Sequence, residues 1–341
     1  MRAIIPVAGL GARLRPHTHT APKVLLHVAG KPMLGHILDE LVSVGISHVT
    51  FVVGYMGEMI RVYVETHYPR LQAQYVEQKE TLGLGHAIWL SGQESTNPDG
   101  PVLIILGDTL FRADLRPVLK SDVSMIGVKA VEDPRRFGIV EMKGDFISRL
   151  VEKPEEPKSN LAIVGIYFLA RSWRLFECLD EVVSKGVRTA GEFQLTDALE
   201  KMLERGEKMK PFTVEGWYDC GQPETLLATN RTLLKIKHNE SSQGYARRFP
   251  DSIFIPPVYI APTAMVENSI VGPDVAVADG SIISHSVISN SILSTYASVH
   301  NMILTESIIS DHAKIEGESY RLNVGDSSEI SLGTITGRDR T

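Results

Sequence analysis

The sequence predicts an α/β domain with a mostly parallel sheet, followed by a parallel β-helix of hexapeptide repeats. Up to about residue 130, short apolar runs alternate with segments of helical periodicity, which is typical of a sheet covered on both faces. After about residue 255, single aliphatic residues recur every five or six positions, a spacing that neither a helix nor an alternating strand produces. The 341 residues suffice for one large and one smaller domain.

Strand and helix signals follow one another along the first domain. The predicted strands are at residues 3–8, 49–53 and 102–106. The predicted helices are at residues 32–44, 56–68, 172–184 and 193–205. Residues 123–170 are richer in strand patterns, and the polar segment 236–252 indicates a domain boundary. We therefore expect a first domain over 1–235, a linker over 236–255, a β-helix over 256–330 and a tail over 331–341.

The second domain is predicted from its row of aliphatic residues, each expected to point into a triangular core. These residues are Ile260, Val266, Val271, Val277, Ile283, Ile288, Leu293, Val299, Leu304, Ile309 and Ile315. Each coil of such a solenoid contacts only its neighbours, so the end coils need a cap or a partner chain. We therefore expect a homo-oligomer.

Composition narrows the class of protein. A formal net charge of -6 argues against a nucleic-acid-binding protein, so any basic site must be local. The two cysteines, Cys178 and Cys220, are too few for a disulfide framework, which fits a reducing compartment. The sequence has no signal-peptide pattern at its start and no apolar run near the ~20 residues of a membrane span. We expect a cytoplasmic protein that binds neither nucleic acid nor membrane.

The loop after the first predicted strand is rich in glycine and basic residues. Its sequence, GLGARLRPHTHTAPK over 9–23, contains Arg13, Arg15 and Lys23. It fails the dinucleotide fingerprint G-x-G-x-x-G because Leu14 stands at the third glycine position, and the chain has no P-loop motif. What remains is a glycine loop whose amides can approach a phosphate, with three cations nearby. The simpler alternative is a solvated basic loop.

A longer stretch around this loop carries a family resemblance. Residues 8–33, AGLGARLRPHTHTAPKVLLHVAGKPM, resemble the G-x-G-x-R-L…P-K signature of sugar-1-phosphate nucleotidylyltransferases. Further landmarks follow in the family's order over about residues 1–235: Gln78 before LGLGHA, LGDTLF (106–111), FGIVE (137–141), VEKP (151–154), GEFQLTDAL (191–199) and WYDCG (217–221). The resemblance implies a Rossmann-like nucleotidyltransferase domain, and longer members also carry a left-handed β-helix.

The resemblance also implies a reaction. In this family a phosphate oxygen of a sugar 1-phosphate attacks the α-phosphorus of a nucleoside triphosphate in line, and pyrophosphate leaves. The second pKa of such a phosphate is about 6, so the nucleophile is already ionised at neutral pH and needs no general base. The sequence agrees, because no Ser/His/Asp or Cys/His constellation stands out. Positioning and charge neutralisation are the chemistry to expect.

Four charged residues match the family's phosphate and metal positions. The resemblance implies that Arg13 and Lys23 bind the triphosphate and that Arg13 stabilises the departing pyrophosphate. Arg15, in the same loop, has no such match, and a solvated side chain is its alternative. It implies that Asp108 and Asp219 hold Mg²⁺, which takes few protein ligands. Asp108 follows the apolar run VLIIL and a glycine, at the carboxyl end of a predicted strand. The alternatives are a strand-end turn for Asp108 and a helix cap for Asp219.

The nucleotide-binding residues are expected near the glycine loop. Gln78 and Gly83 stand five apart, as in the family's base-reading element. A glutamine amide both donates and accepts, so it can pair with the N3–H and O4 edge of uracil or thymine. Ala8, Gly9 and Gly11 are expected to border the same nucleotide. These residues favour a pyrimidine nucleotide.

The sugar site is expected from four other residues. The resemblance implies that Glu152 accepts from sugar hydroxyls and that Lys153 is a catalytic cation for the sugar phosphate. Gly138 would let the sugar lie against the backbone, and Thr196 is a further candidate for the sugar site. Without the resemblance, Glu152 and Lys153 would be interpreted as a solvated pair before a proline turn.

Several positions depart from the family's subgroups. Ala12 replaces the usual Thr or Ser of the glycine loop. Val24 and Ala190 stand where short glucose-1-phosphate thymidylyltransferases have Gln and Arg, although Arg188 is close by. Ile163 stands about where N-acetylglucosamine-1-phosphate uridylyltransferases have Asn, which disfavours an N-acetyl sugar. The substrate pair stays open, with dTTP or UTP and glucose 1-phosphate favoured.

Two other functions compete with a nucleotidylyltransferase. A nucleotide-sugar-dependent glycosyltransferase typically carries a D-x-D metal motif, whereas residues 108–110 are DTL. A regulatory homologue would bind nucleotide sugars without turnover, and the joint presence of Arg13, Lys23, Asp108 and Asp219 argues against it.

Histidines outside these motifs need separate interpretation. His285, His300 and His312 lie in the hexapeptide region, where some solenoids are acyltransferases with a catalytic His. Their position in turns of a short solenoid favours structural roles. His17 and His19 in the glycine loop have no role that the sequence explains.

Overall fold

The computed structural model describes residues 1–93, 100–237 and 243–318. The predicted tail over 331–341, the end of the predicted β-helix at 319–330, and part of the predicted linker at 238–242 lie outside the described residues. The exact domain boundaries therefore stay predictions.

The first domain is built on a nine-stranded mixed sheet. Its elements are β1 (Arg2–Pro6), β2 (His27–Val28), β3 (Lys31–Pro32), α1 (Met33–Ser43), β4 (His48–Val53), α2 (Gly57–His67), β5 (Gln72–Glu77), α3 (Leu84–Gln93), β6 (Val102–Ile105), β7 (Thr109–Arg112), α4 (Leu115–Val118), β8 (Ser124–Ala130), β9 (Ile139–Lys143), β10 (Phe146–Val151), β11 (Leu161–Leu169), α5 (Ser172–Ser184), α6 (Leu195–Glu204), β12 (Met209–Thr213), β13 (Gly216–Asp219) and α7 (Pro223–Lys237). The strand order is β10-β9-β11-β6-β1-β4-β5, with β8 pairing β11 and β12. β1 runs parallel to β4 and β6, whereas β11 runs antiparallel to β6. The predicted α/β class is confirmed.

The sheet is covered on both faces because its central strands are apolar throughout. Ile4 and Ile5 of β1 are fully buried, yet they belong to different core clusters. Successive side chains of a strand point to opposite faces, so each residue joins the core on its own side. Leu38 of α1 packs in the cluster of Ile5, and Leu179 of α5 packs in that of Ile4. The arrangement leaves the carboxyl ends of β1 and β6 side by side at one edge.

The C-terminal part is a parallel β-helix with three faces, the architecture of a left-handed β-helix. Its elements are α8 (Gln243–Arg248), β14 (Ile253–Phe254), β15 (Val258–Ile260), β16 (Met265–Glu267), β17 (Ile270–Val271), β18 (Val275–Val277), β19 (Ile282–Ser284), β20 (Val287–Ser289), β21 (Ile292–Leu293), β22 (Ser298–His300), β23 (Ile303–Thr305), β24 (Ile308–Ile309) and β25 (Lys314–Glu316). Each strand pairs in parallel with the strand three places later, giving the sheets β14-β17-β20-β23, β15-β18-β21-β24 and β16-β19-β22-β25.

The predicted aliphatic row fills the interior of this β-helix. Val271, Val277, Ile283, Ile288 and Leu293 are fully buried, as expected for residues that point into a triangular core. Leu304 and Ile315, in the last described coil, are partly buried. The hexapeptide pattern is confirmed.

The three histidines of the β-helix make contacts within it. His285 takes a left-handed corner conformation with φ 50°. His300 lies between the hydroxyls of Ser284 and Ser298, at 2.5 and 2.7 Å. His312 stacks on Tyr296 with ring centroids 5.2 Å apart. These contacts account for the histidines as parts of the fold.

One face of the β-helix packs against the first domain. Ala276 and Ile292, on the sheet β15-β18-β21-β24, belong to the same core cluster as Leu226 and Leu234 of α7. On the same face, the Tyr259 ring covers Gly30 in the β2–β3 turn so closely that an added Cβ would lie 2.8 Å from it. The two domains therefore share a continuous apolar core.

Asn230 of α7 is a fully buried polar bridge across this interface. Its Oδ1 accepts from the Ala29 N–H at 2.8 Å, and its Nδ2 donates to the Asp274 carbonyl at 3.2 Å.

Asn230→Ala should lower the free energy of unfolding by about 2–4 kcal/mol, because two buried backbone groups lose their partners. Thr232→Ala, whose hydroxyl only contacts the Ala228 carbonyl on the exposed side of α7, is the matched control. Urea denaturation measures both, and equal losses would contradict the bridging role.

Within the described ranges, no helix combines the length and the hydropathy that a membrane-spanning segment needs.

Candidate active site

The glycine loop leaves the carboxyl end of β1 and folds back on itself. Arg13 lies in a 3₁₀ turn, Ala12–Leu14, that begins after Gly11 in left-handed conformation, φ 62°. A Cβ added at Gly11 would lie 3.0 Å from both Lys23 Cβ and Thr18 Cγ2. The Thr18 hydroxyl donates to the Gly11 carbonyl at 2.9 Å. Only glycine fits this turn, which brings the two cation-bearing ends of the loop together.

Lys23, in the 3₁₀ turn Lys23–Leu25 of the loop, forms an ion pair with Asp108, which follows β6. Lys23 Nζ lies 2.6 Å from Asp108 Oδ2. The Lys23 side chain is 11% exposed and that of Asp108 is 46% exposed, so the carboxylate faces the cleft. From the sequence, Lys23 was expected on the triphosphate and Asp108 on the metal, whereas in the structure the two side chains contact each other directly.

Asp219 lies beside Asp108 because β13 pairs with β7, which opposes Asp219 to Thr109. Its Oδ1 accepts from the Gly221 N–H at 2.9 Å, ahead of α7, so this carboxylate makes a turn rather than the expected alternative of a cap on the helix. A Cβ added at Gly221 would lie 2.9 Å from Asp219 Oδ1 and 3.2 Å from Arg13 Nη2. The guanidinium of Arg13 and the carboxylate of Asp219 therefore flank the same glycine.

Two cavities meet at this point. The first, about 470 Å³, is lined by Ala8, Gly9, Gly11, Lys23, Gln78 and Gly83, the residues expected for the nucleotide. The second, about 710 Å³, is lined by Arg13, Gly138, Glu152, Lys153, Thr196 and Asp219, which include all those expected for the sugar. Leu84, Leu106 and Asp108 line both cavities. Arg13 thus lies on the side of the second cavity, although the sequence analysis grouped it with Lys23 on the triphosphate.

The far end of the first cavity contains a buried glutamine with a fixed orientation. Gln78 Nε2 lies 3.2 Å from the Gly83 carbonyl and 3.1 Å from His86 Nδ1. A carbonyl oxygen cannot donate, so the amide nitrogen and not the oxygen must face Gly83. In the described part of the chain no group donates to Gln78 Oε1. The sequence expectation that this amide offers a base both a donor and an acceptor is corrected, since both N–H groups are already used.

His86 is a site residue that the sequence analysis missed. Its ring stacks on Trp89 and Phe193, with centroids 5.6 and 6.2 Å apart. Burial lowers the pKa of His86 from its ordinary value, which favours the neutral ring whose Nδ1 can accept from Gln78. The residue stands inside LGLGHA, so its motif was recognised, but its contact with Gln78 needs the turn at Gly83.

The second cavity has a linked polar wall. Thr196 Oγ1 donates to Glu152 Oε2 at 2.8 Å, and Lys153 Nζ lies 3.7 Å from Glu152 Oε1. A Cβ added at Gly138 would lie 3.0 Å from Glu152 Oε2. The four residues expected for the sugar are thus brought together. Other lining residues were not foreseen: Arg135, Arg136, Phe137, Tyr167, Gln194 and Trp217.

Comparison with known proteins decides the family. The model of a family described as nucleotidyl transferase matches residues 2–236. The chain belongs to this nucleotidyl transferase family. It is 31% identical over 246 residues to the low-salt glycan biosynthesis nucleotidyltransferase Agl11 of Haloferax volcanii, covering 70% of this chain and 67% of that protein. It is 32% identical to the UTP–glucose-1-phosphate uridylyltransferase AglF of the same organism, covering 66% and 93%.

In other matches the aligned region covers only part of this chain or of the similar protein. The bifunctional protein GlmU of Methanocaldococcus jannaschii is 36% identical, and the match covers 69% of this nucleotidyl transferase but only 54% of GlmU. Among solved structures, an apo UDP-glucose pyrophosphorylase superposes with a TM-score of 0.62 at 26% identity, covering 69% of this chain and 98% of that one. A structure of UDP-glucose pyrophosphorylase complexed with UDP-glucose gives a TM-score of 0.59, also at 26% identity.

The donor set of this nucleotidyl transferase fits Mg²⁺. Asp108 and Asp219 are hard oxygen donors that line one cavity, and Asp219 uses Oδ1 for Gly221. The described residues hold no group of three or more His, Cys, Asp or Glu that could enclose a metal. Two carboxylates without a third ligand suit Mg²⁺, which completes its shell with water and substrate phosphates.

Proposed function

We propose that this chain is a sugar-1-phosphate nucleotidylyltransferase. It joins a nucleoside triphosphate to a sugar 1-phosphate and releases pyrophosphate, with UTP or dTTP and glucose 1-phosphate as the favoured pair. The observation that carries the proposal is the meeting of two cavities at Asp108, one bordered by the glycine loop and the other by Glu152, Lys153 and Thr196. Two substrates bound in these cavities would present their phosphates to each other at this junction.

In the proposed reaction, a phosphate oxygen of the sugar 1-phosphate forms a bond to the α-phosphorus. The bond from that phosphorus to the β-phosphate oxygen breaks, and the electron pair leaves with pyrophosphate. No proton moves, because the attacking phosphate is already ionised. Lys153 holds the sugar phosphate, while Lys23 and Arg13 offset the negative charge that the two substrates bring together. Glu152, fixed by Thr196, orients the sugar through its hydroxyls.

The proposal includes dependence on Mg²⁺ held by Asp108 and Asp219. The ion would neutralise phosphate oxygens and orient the triphosphate. Cytoplasmic location and homo-oligomeric assembly stay predictions.

Gln78 supports the choice of base. Its available polar atom is the acceptor Oε1, which can accept from the N3–H of uracil or thymine. His86→Phe keeps the stacked ring but removes the acceptor for Gln78. It should raise the KM for UTP and dTTP about tenfold, because a buried N–H is left unpaired. His86→Asn, whose side-chain oxygen can take the place of Nδ1, should recover most of this loss. Steady-state kinetics with varied nucleotide measure both, and equal effects of the two variants would contradict the role of His86.

The test of the proposed function is pyrophosphate release from a substrate panel. UTP, dTTP, CTP, ATP and GTP are each combined with glucose, mannose or N-acetylglucosamine 1-phosphate and Mg²⁺. We expect release with glucose 1-phosphate and either UTP or dTTP. No pyrophosphate from any pair would refute the proposal and favour the regulatory homologue. Release of nucleoside diphosphate from a nucleotide sugar supplied in a parallel assay would instead favour a glycosyltransferase.

A further inference from the structure

The glycine loop touches the β-helix directly. His17 Nδ1 lies 2.6 Å from the hydroxyl of Ser310, which follows β24 in the last described coil. The two residues are 293 positions apart in sequence. Around them the domains enclose a gap of only about 20 Å³, lined also by Leu25, Leu26 and Ile308. Burial lowers the pKa of His17, so a neutral imidazole meets the serine.

A short chain of contacts leads from this point to the phosphate loop. His17 lies in a 3₁₀ turn, His17–His19, whose middle residue is the buried Thr18. Thr18 donates to the Gly11 carbonyl at 2.9 Å and packs against the position where a Gly11 Cβ would be. Gly11 in turn begins the 3₁₀ turn that carries Arg13 and lies against Lys23. A shift of His17 would therefore be transmitted to both cations of the site.

Asp219, one of the two carboxylate residues proposed for the metal, is connected to the same β-helix through α7. The Thr229 hydroxyl donates to the Asp219 carbonyl at 2.9 Å. The next residue, Asn230, donates to the Asp274 carbonyl in the β-helix, and Arg231 lies 3.5 Å from the Asp274 carboxylate. The glycine loop and the Asp219 segment are thus each connected to the β-helix, at two separate points.

We propose that Ser310 of the β-helix is a positioning residue for the triphosphate, acting through His17 on the glycine loop. The β-helix is then part of the nucleotide site, although none of its residues up to 318, the last that the structure describes, lines either cavity. The effects on KM that this proposal predicts depend on the proposed function, because they presuppose turnover of a nucleoside triphosphate. It gives His17, which the sequence left unexplained, a role in holding the loop.

The test compares single hydroxyl removals in the full-length protein. Ser310→Ala should raise the KM for UTP and dTTP about fivefold, as expected for the loss of one hydrogen bond, and weaken Mg²⁺–nucleotide binding equally. The KM for glucose 1-phosphate should change less than twofold. Ser310→Thr keeps the hydroxyl and should restore both values. Ser289→Ala, on a different face of the β-helix, removes a hydroxyl that bonds Thr305 at 3.2 Å and should change neither.

A double variant distinguishes positioning from general weakening of the fold. If His17 and Ser310 act as one contact, His17→Ala/Ser310→Ala should lose no more nucleotide affinity than His17→Ala alone. Losses that multiply, or a Ser310→Ala effect equal to that of Ser289→Ala, would overturn the proposal. Titration calorimetry with Mg²⁺–UTP and Mg²⁺–dTTP needs no turnover. If the nucleotides bind but no pyrophosphate is released, the proposed function is refuted, and the binding data still test the His17–Ser310 contact. If the wild-type protein binds neither nucleotide, both proposals are refuted.

Discussion

Asp108→Asn should lower kcat about a thousandfold while the protein stays folded. Asparagine keeps the shape of the side chain and can still accept from Lys23, but it removes the charge that faces both cavities. Loss of a preorganised electrostatic contact at reacting phosphates costs about 10²–10³ in rate, and loss of a metal ligand adds to it. Because the Asp108 side chain is nearly half exposed, little burial energy depends on it.

The matched control is Asp114→Asn. Asp114 is also an exposed aspartate in an ion pair, with Arg116, and it lies at the N-cap of α4 away from both cavities. Asparagine caps helices as well as aspartate does, so its kcat should stay within about twofold of wild type. Initial rates and thermal midpoints for both variants make the comparison. A rate for Asp108→Asn near that of the control would show that the junction of the cavities is not the reacting centre.

Arg13→Ala should lower kcat about 10²–10³-fold, because its guanidinium lies beside Asp219 in the second cavity and offsets the negative charge that the two substrates bring together. Arg13 is exposed and flanks Gly221 beside Asp219, so its removal leaves no buried partner unpaired. Arg13→Lys should recover only part of the rate, since an ammonium cannot bind two phosphate oxygens with a planar fork.

Arg15→Ala provides the internal comparison for Arg13. Arg15 is in the same loop and equally charged, yet it is exposed and lines neither cavity. Its removal should change kcat less than about twofold. If the two alanine variants lost activity equally, the effect would come from the net charge of the loop and not from the position of Arg13.

Most site residues could be predicted from the family resemblance, and local sequence patterns added where the strands end. Asp108 could be assigned from the apolar run VLIIL before it, since a carboxylate at the carboxyl end of such a strand faces the ligand edge of an α/β sheet. The β-helix could be predicted because its core residues recur at a spacing that neither a helix nor an alternating strand produces. Both inferences need only neighbouring residues.

Contacts between distant segments could not be predicted in the same way. The ion pair of Lys23 with Asp108 exists because the 3₁₀ turn Lys23–Leu25 folds back against the loop after β6, where Val24 lies close to Gly107. The contact of His17 with Ser310 depends on which face of the β-helix packs against α7. The role of Gln78 changed because the turn at Gly83 brings His86 to its amide. Sequence identifies these residues but not the partners that fix their chemistry.

The central claim is that the junction at Asp108 joins two substrates through their phosphates. The most direct measurement quantifies pyrophosphate and nucleotide sugar together, from glucose 1-phosphate with UTP or dTTP and Mg²⁺. We expect the two products in equal amounts, with no pyrophosphate when the sugar 1-phosphate is omitted and none without Mg²⁺. Pyrophosphate formed without the sugar phosphate, or a nucleotide sugar formed without pyrophosphate, would contradict it.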